Sequence, residues 1–182
     1  MAGHGVTGEK SHGDWRSVLL DTGNGHLARA MTVRSTVSGE ISTMYLDSVE
    51  GDCDSVLMSV NFSLSRVPET DIETPVLFGK FRIDGNPVHD INYGYEMERG
   101  QDFIKLSFPK RPRNDAIIDE ITNGTTARFQ FKINGGTLYY EFSLNGSSGA
   151  LNRAARLCSG ALQADELYIK QAVPGIDSYF RD

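Results

Sequence analysis

Cysteine is nearly absent from this chain: Cys53 and Cys158 are the only two in 182 residues. No Cys-x-x-Cys occurs, which disfavours zinc ribbons and thioredoxin-like redox chemistry. Positive charge is also short, with 18 Lys and Arg against 24 Asp and Glu and a net charge of -6. Such a balance lacks the overall basic face on which non-specific binding to nucleic acid or an anionic membrane depends. Long apolar runs are missing too, since none approaches the ~20 residues that cross a bilayer as a helix. Met1 to Trp15 holds Gly, His and charge in place of the apolar centre of a signal peptide; if the protein is exported, that signal has already been removed. Residues 1–14 read as a flexible N-terminal segment and residues 15–182 as one domain, a size that buries a core without extra crosslinks.

Alternation is what the chain has in abundance. Ala127, Phe129, Phe131 and Ile133 alternate with Arg128, Gln130, Lys132 and Asn134, the period of a half-buried strand. Leu138, Tyr140, Phe142 and Leu144 repeat the pattern after Gly135-Gly136. A two-residue Gly-Gly loop sets Phe131 opposite Tyr140 and Phe129 opposite Phe142, so both apolar sets share one face. The same period marks Leu27–Arg34 weakly, Ile41–Leu46, Val56–Leu64, Leu77–Ile83, His89–Met97 and Ile104–Phe108. Ser38-Gly39 and Asp84-Gly85-Asn86-Pro87 supply turns, and Pro68–Pro75 reads as a loop.

Two stretches change to helical spacing. Asn114 looks like a cap for Ile117, Ile118 and Ile121, with Gly124 as the stop. Ser147 or Ser148 would cap a second helix with Leu151, Ala154, Ala155, Cys158 and Leu162 on one face and Arg153 and Arg156 on the other. Beyond Gly160 the tail carries Tyr168, Ile169, Val173, Ile176, Tyr179 and Phe180, apolar enough to dock, for instance as a last edge strand. Many short strands without βαβ alternation or a repeat period indicate a mainly β fold. The expected architecture is an antiparallel sandwich or barrel-like domain with a short helix before the last hairpin and a C-terminal helix.

Candidates for chemistry are few, and each has a plain reading. Cys53 and Cys158 are either a disulfide tying the last helix to the sheet or two small hydrophobes in a reduced cytosol; counting alone leaves both open. Lys110, Arg111 and Arg113 are the one concentration of positive charge, either a solvated loop or a docking site for an acidic partner, a lipid A phosphate or a polyanionic glycan. His89 with Asp84 and Asp90 resembles a metal set only loosely, as do Asp47, Glu50, Asp52 and Asp54, which lack calcium-loop spacing. His4, His12 and His26 fall in Gly-rich sequence and read as solvated. Gly146-Ser147-Ser148-Gly149 has neither the Lys of a phosphate loop nor the order of a nucleophile elbow. Asn61, Asn123 and Asn145 open glycosylation triplets that matter only in a eukaryotic secretory context.

A chain that opens on Gly13-Asp14-Trp15, runs through a strand led by Cys53, and closes with an isoleucine helix, a hairpin and Phe142-Ser143-Leu144-Asn145-Gly146 resembles the invasion-associated locus B family of exported bacterial β-sandwich proteins. The closing Phe-Ser-Leu-x-Gly with Ala150 and Cys158 is also similar to accessory proteins of type VI secretion clusters. One departure is that such proteins tend to carry a cysteine near Leu27–Met31, where this chain has Ala28 and Ala30. The resemblance therefore leaves Cys53 with Cys158 as the only pair. It implies a periplasmic or secreted, non-catalytic binding or accessory protein, linked to host interaction or secretion, whose partner is a protein or envelope component and which needs no cofactor or metal. A glycan- or lipid-acting enzyme and a periplasmic inhibitor or immunity protein are the alternatives.

Overall fold

The computed structural model of the protein describes residues 5–35, 40–63, 72–133 and 136–162. Among them are eleven strands and two helices: β1 (Val6–His12), β2 (Trp15–Asp21), β3 (His26–Ser35), β4 (Ile41–Val49), β5 (Asp52–Ser63), β6 (Ile72–Ile83), β7 (His89–Met97), β8 (Phe103–Ser107), β9 (Arg111–Pro112), α1 (Ala116–Asn123), β10 (Thr126–Ile133), β11 (Gly136–Ser143) and α2 (Ser147–Cys158). The strands form one antiparallel sheet in the order β1-β2-β3-β4-β5-β8-β7-β6-β10-β11, with β9 attached to β5. The fold is mainly β and open, with one helix before the last hairpin and one after it, as the alternation and helical spacing indicate.

Side-chain period fixes the inner face. Trp15, Thr32, Met44, Val60, Leu106 and Tyr95 lie opposite one another strand by strand across six strands, and all are buried. A second inner row runs from Phe81 through Phe129 to Tyr140, and the rings of Phe81 and Phe129 lie 4.6 Å apart. Helix α2 packs on β2 and β3, where the inward residues are small: Ser17, Ala28 and Ala30. That explains the weak pattern of β3. Its larger side chains, Leu27, Met31 and Val33, point outward because the helix needs the room, and Ala150, Leu151 and Ala154 occupy it.

Several expectations are corrected in detail. The last hairpin pairs Phe131 with Leu138 and Phe129 with Tyr140, a shift of two residues from the Gly-Gly loop register. A shift of two preserves the face, so the aromatic residues stay inside. Asp115 caps α1 in place of Asn114, accepting from Ile117 N at 2.9 Å. Gly146, at φ 95°, begins α2, and the Ser147 hydroxyl donates instead to Ile121 O at 2.7 Å, tying the two helices together. Strand β6 starts at Ile72, inside the stretch read as a loop, and Cys53 lies within β5. Residues Val6–His12, read as flexible, form edge strand β1. Because β1 lies beside α2, Arg153, on the helix face opposite the apolar one, is only 8% exposed; it donates to Gly8 O at 2.6 Å and to Ser17 Oγ at 3.2 Å. The expected tail strand, Ser38-Gly39 and the loop up to Asp71 lie outside the described residues.

The two ends of the sheet are latched together. Trp15 Nε1 donates to Ser143 O at 2.8 Å, Asp14 N to Asn145 O at 3.0 Å, and Ser143 Oγ to Asp14 Oδ2 at 2.6 Å. A side chain on Gly146 would overlap the carbonyl of His12. Gly100 has a similar φ of 82° but open space around it. The substitution Gly146→Ala should therefore cost clearly more than Gly100→Ala, about 3 kcal/mol or more against about 1 kcal/mol for dihedral strain alone. Urea unfolding of both variants checks this, and equal costs would show that the close approach is not holding the latch.

Burial, then Lys10 and Arg153, push the His12 imidazole below its ordinary value, while its Nε2 sits 2.9 Å from Ser17 Oγ. Hydrogen bonds from Thr125 and Thr126 hold Asp84 below the carboxylate range. Both folded values are depressed, so both groups stabilise above their unfolded pKa and lose that contribution as pH falls. Stability should decline first below about pH 6.5, through His12, and again below about pH 4, through Asp84. Thermal unfolding against pH should show His12→Gln flattening only the first limb.

Candidate binding face

The outward side of β6, β10 and β11 carries residues that the alternation assigns to the solvent phase, yet two are large aromatics. Phe78 is 70% exposed and Tyr139 is 69% exposed, with Val76 and Val88 also bare. Around them stand Lys80, Arg82, Arg128 and Lys132, all exposed. Register sets these groups. Gln130 lies between Lys80 and Tyr139 across three strands, and Arg82 lies directly opposite Arg128.

Like charges directly opposite on neighbouring strands oppose pairing. Glu141, opposite Arg128 on the other side, offsets this by accepting from Arg128 Nε at 2.8 Å, and Arg82 donates to Gly85 O at 3.2 Å. Between the two arginines on one side and Lys80, Gln130 and Tyr139 on the other is a shallow hollow of about 200 Å³ with Val88 at its rim. The arrangement can hold an apolar or aromatic group and place an anion near guanidinium donors.

Beneath this face β6 parts from β10 beyond Gly79. A side chain there would meet Gln130 O at 2.7 Å and the Tyr93 ring at 3.0 Å. The Tyr93 hydroxyl fills the gap, donating to Lys132 O at 2.8 Å and accepting from Lys132 N at 2.9 Å. A buried hydroxyl thus satisfies the backbone where strand pairing stops.

The residues marked in the sequence lie elsewhere. Cys53 and Cys158 are bridged, their Cα atoms 5.6 Å apart, joining the end of α2 to the start of β5. Arg113 braces the same point, donating to Cys53 O at 2.5 Å and to Ser48 Oγ at 2.7 Å. Lys110 pairs with Asp52, and Arg111 pairs with Asp115 at 3.1 Å. The basic stretch read as a loop thus runs along the start of β5, with Arg111 in β9 opposite Val56 and each cation engaged within the chain.

The candidate metal sets also disperse. His89 Nε2 meets Glu120 at 3.0 Å, Asp90 meets Lys80 at 3.0 Å, and Asp84 accepts from Thr125 and Thr126. Asp47 holds Arg29 through two bonds of 2.7 Å, and Glu50 accepts from His26 N at 3.0 Å. Sequence reasoning missed the outer face because it followed the inward phase. The available signal was Phe78 and Tyr139 standing in the polar phase of two otherwise regular strands.

The fold and this face define an open, curled antiparallel β domain, pinned by one disulfide, with an aromatic and cationic outer surface. No protein-family model matches the chain, and no curated protein does. Among solved structures it is similar to the crystal structure of invasion associated protein B from Bartonella henselae, with a TM-score of 0.54 and 14% identity, over 82% of this chain and 95% of that one. The likeness is one of fold.

A count of free thiols in the denatured, unreduced protein from its native source should give none. Replacing both cysteines by serine should lower stability by about 3–5 kcal/mol, the range for closing a loop of this length, as read from urea midpoints. Two free thiols in the native protein would remove the covalent tie and the argument for an oxidising compartment.

Proposed function

We propose that the protein is an exported, non-catalytic binding or accessory protein, acting in the periplasm or outside the cell, and that the outer face of β6, β10 and β11 is its contact surface. The observation that carries this reading is the exposure of two large aromatics, Phe78 on β6 and Tyr139 on β11, on one outward side that also bears Lys80, Arg82, Arg128 and Lys132; Asp90 and Glu141 pair with only two of these cations. Large apolar side chains left in the open on one face cost solubility and mark interaction sites. Export is supported by the bridge between the only two cysteines and by the fold likeness to an invasion-associated bacterial protein. The same likeness, to a protein named for invasion, supports a role linked to host interaction, and a protein or envelope component is the partner such a face suits.

The test is site-specific photo-crosslinking in source cells, with the probe at position 78 and, as a control, at the exposed position 16 on β2. A discrete adduct from position 78 and none from position 16 is the expected outcome. Adducts from neither position, or equally from both, would sink the proposal.

A further inference from the structure

The hydrogen bonds around His12 require a neutral imidazole. The Arg153 guanidinium has donors only, and its Nη1 donates to Ser17 Oγ at 3.2 Å. Ser17 is fully buried, so its own hydroxyl proton needs an acceptor. Among the described residues it has one, His12 Nε2 at 2.9 Å. The ring proton of His12 therefore belongs on Nδ1, with Nε2 left as a lone pair. A second proton on the ring turns that acceptor into a donor aimed at Ser17, and the buried hydroxyl loses its partner.

The charges around the ring oppose the same proton. Burial, then Lys10 on β1 and Arg153 on α2, disfavour the charged form. The ring lies on the first turn of α2, where a Cβ at Gly149 would meet Nδ1 at 2.9 Å, and the positive end of a helix repels a cation. The acids nearest in sequence are engaged elsewhere, Glu9 with Arg16 at 3.2 Å and Asp14 with the Ser143 hydroxyl at 2.6 Å.

Strand β1 has little else to hold it. None of its residues is buried, its register with β2 shifts between Thr7 and Lys10, and the exposed Glu9–Arg16 pair contributes little. Gly8 O accepts from Arg153, the same guanidinium that shares Ser17 with His12. Just beyond the strand, Gly13 at φ 57° is a pivot, and Asp14 N, bonded to Asn145 O, begins the latch. Segments with few buried apolar contacts open separately from a core.

We propose that β1 is an acid-released flap pinned by His12. When the imidazole takes up a proton, Val6–His12 parts from β2 and α2 about Gly13, and β2 becomes the edge of the sheet while the latch and the core stay closed. The closed state favours the neutral ring, so the flap is fully pinned above about pH 6.5, the ordinary imidazole value. It is released as pH falls through the lower value the ring has when closed. Unlike a general loss of stability in acid, the change is confined to one strand.

Amide hydrogen exchange on the full chain tests this, read as protection factors so that the intrinsic pH dependence of exchange divides out. From about pH 7.5 to about pH 5, protection of Val6–His12 and of the β2 amides that face it should fall about threefold or more, while β5 and β7 keep theirs. His12→Gln retains an acceptor for Ser17 and does not titrate, so its β1 protection should hold constant over that range. Lys10→Gln, at an exposed position, removes one opposing charge, and the His12 midpoint read by NMR should rise toward the ordinary value. Four results would overturn the proposal: β1 protection unchanged in acid, an equal loss in β1 and β5, the same acid loss in His12→Gln, or a His12 midpoint that Lys10→Gln leaves in place.

Discussion

The indole N–H of Trp15 and the carbonyl of Ser143 lie 128 residues apart and meet at 2.8 Å. An open sheet of this many strands twists, and its terminal strands have no covalent reason to approach each other. One buried donor that would otherwise lose its water without compensation supplies the reason. Around it cluster the Asp14 and Asn145 bonds, the close passage of Gly146 under His12, and the start of α2. The helix enters where the latch leaves the chain, so its position on β2 and β3, and the burial of Arg153, follow from the same contact.

Much of the fold was legible because it depends on local periodicity. Val56, Met58, Val60 and Phe62 face inward as their spacing requires, and the isoleucines of α1 are buried as a helical stripe. Elements whose inner positions are filled by small or polar residues were not legible. β2 turns Ser17 inward and β3 turns in Ala28 and Ala30, because a helix lies against them, and alternation cannot register a partner that arrives from 120 residues away. The N-terminal strand was hidden for the same reason: Val6–His12 has no apolar face of its own and is held by Arg153 and by pairing with β2.

The candidate site was less legible than the fold. Concentrated charge at Lys110, Arg111 and Arg113 drew attention in the sequence, yet Arg113 and Lys110 engage Cys53 O and Asp52 beside the disulfide, and Arg111 engages Asp115 at the start of α1. The outer face of the last hairpin is assembled from single residues on three strands, far apart in sequence until register puts Lys80, Gln130 and Tyr139 in line. The opening Gly13-Asp14-Trp15 and closing Ser143-Leu144-Asn145-Gly146 looked like separate family marks. In space they are the two halves of one latch, which is a structural reason for such motifs to occur together and carries no information about chemistry.

The disulfide divides the chain into parts with different fates after a cut. Cys53 to Cys158 forms a covalent ring that contains β6, β10, β11 and both helices. A single peptide bond broken anywhere inside that ring leaves the two fragments attached to one another. Strands β1 to β4 lie outside it, and β1, β2 and β3 are held to the rest by backbone pairing to β4, by helix packing and by the Trp15 latch. One cleavage between β3 and β4 therefore turns the first three strands of the sheet into a separate, non-covalently held piece, while the outer face of β6, β10 and β11 remains inside the ring.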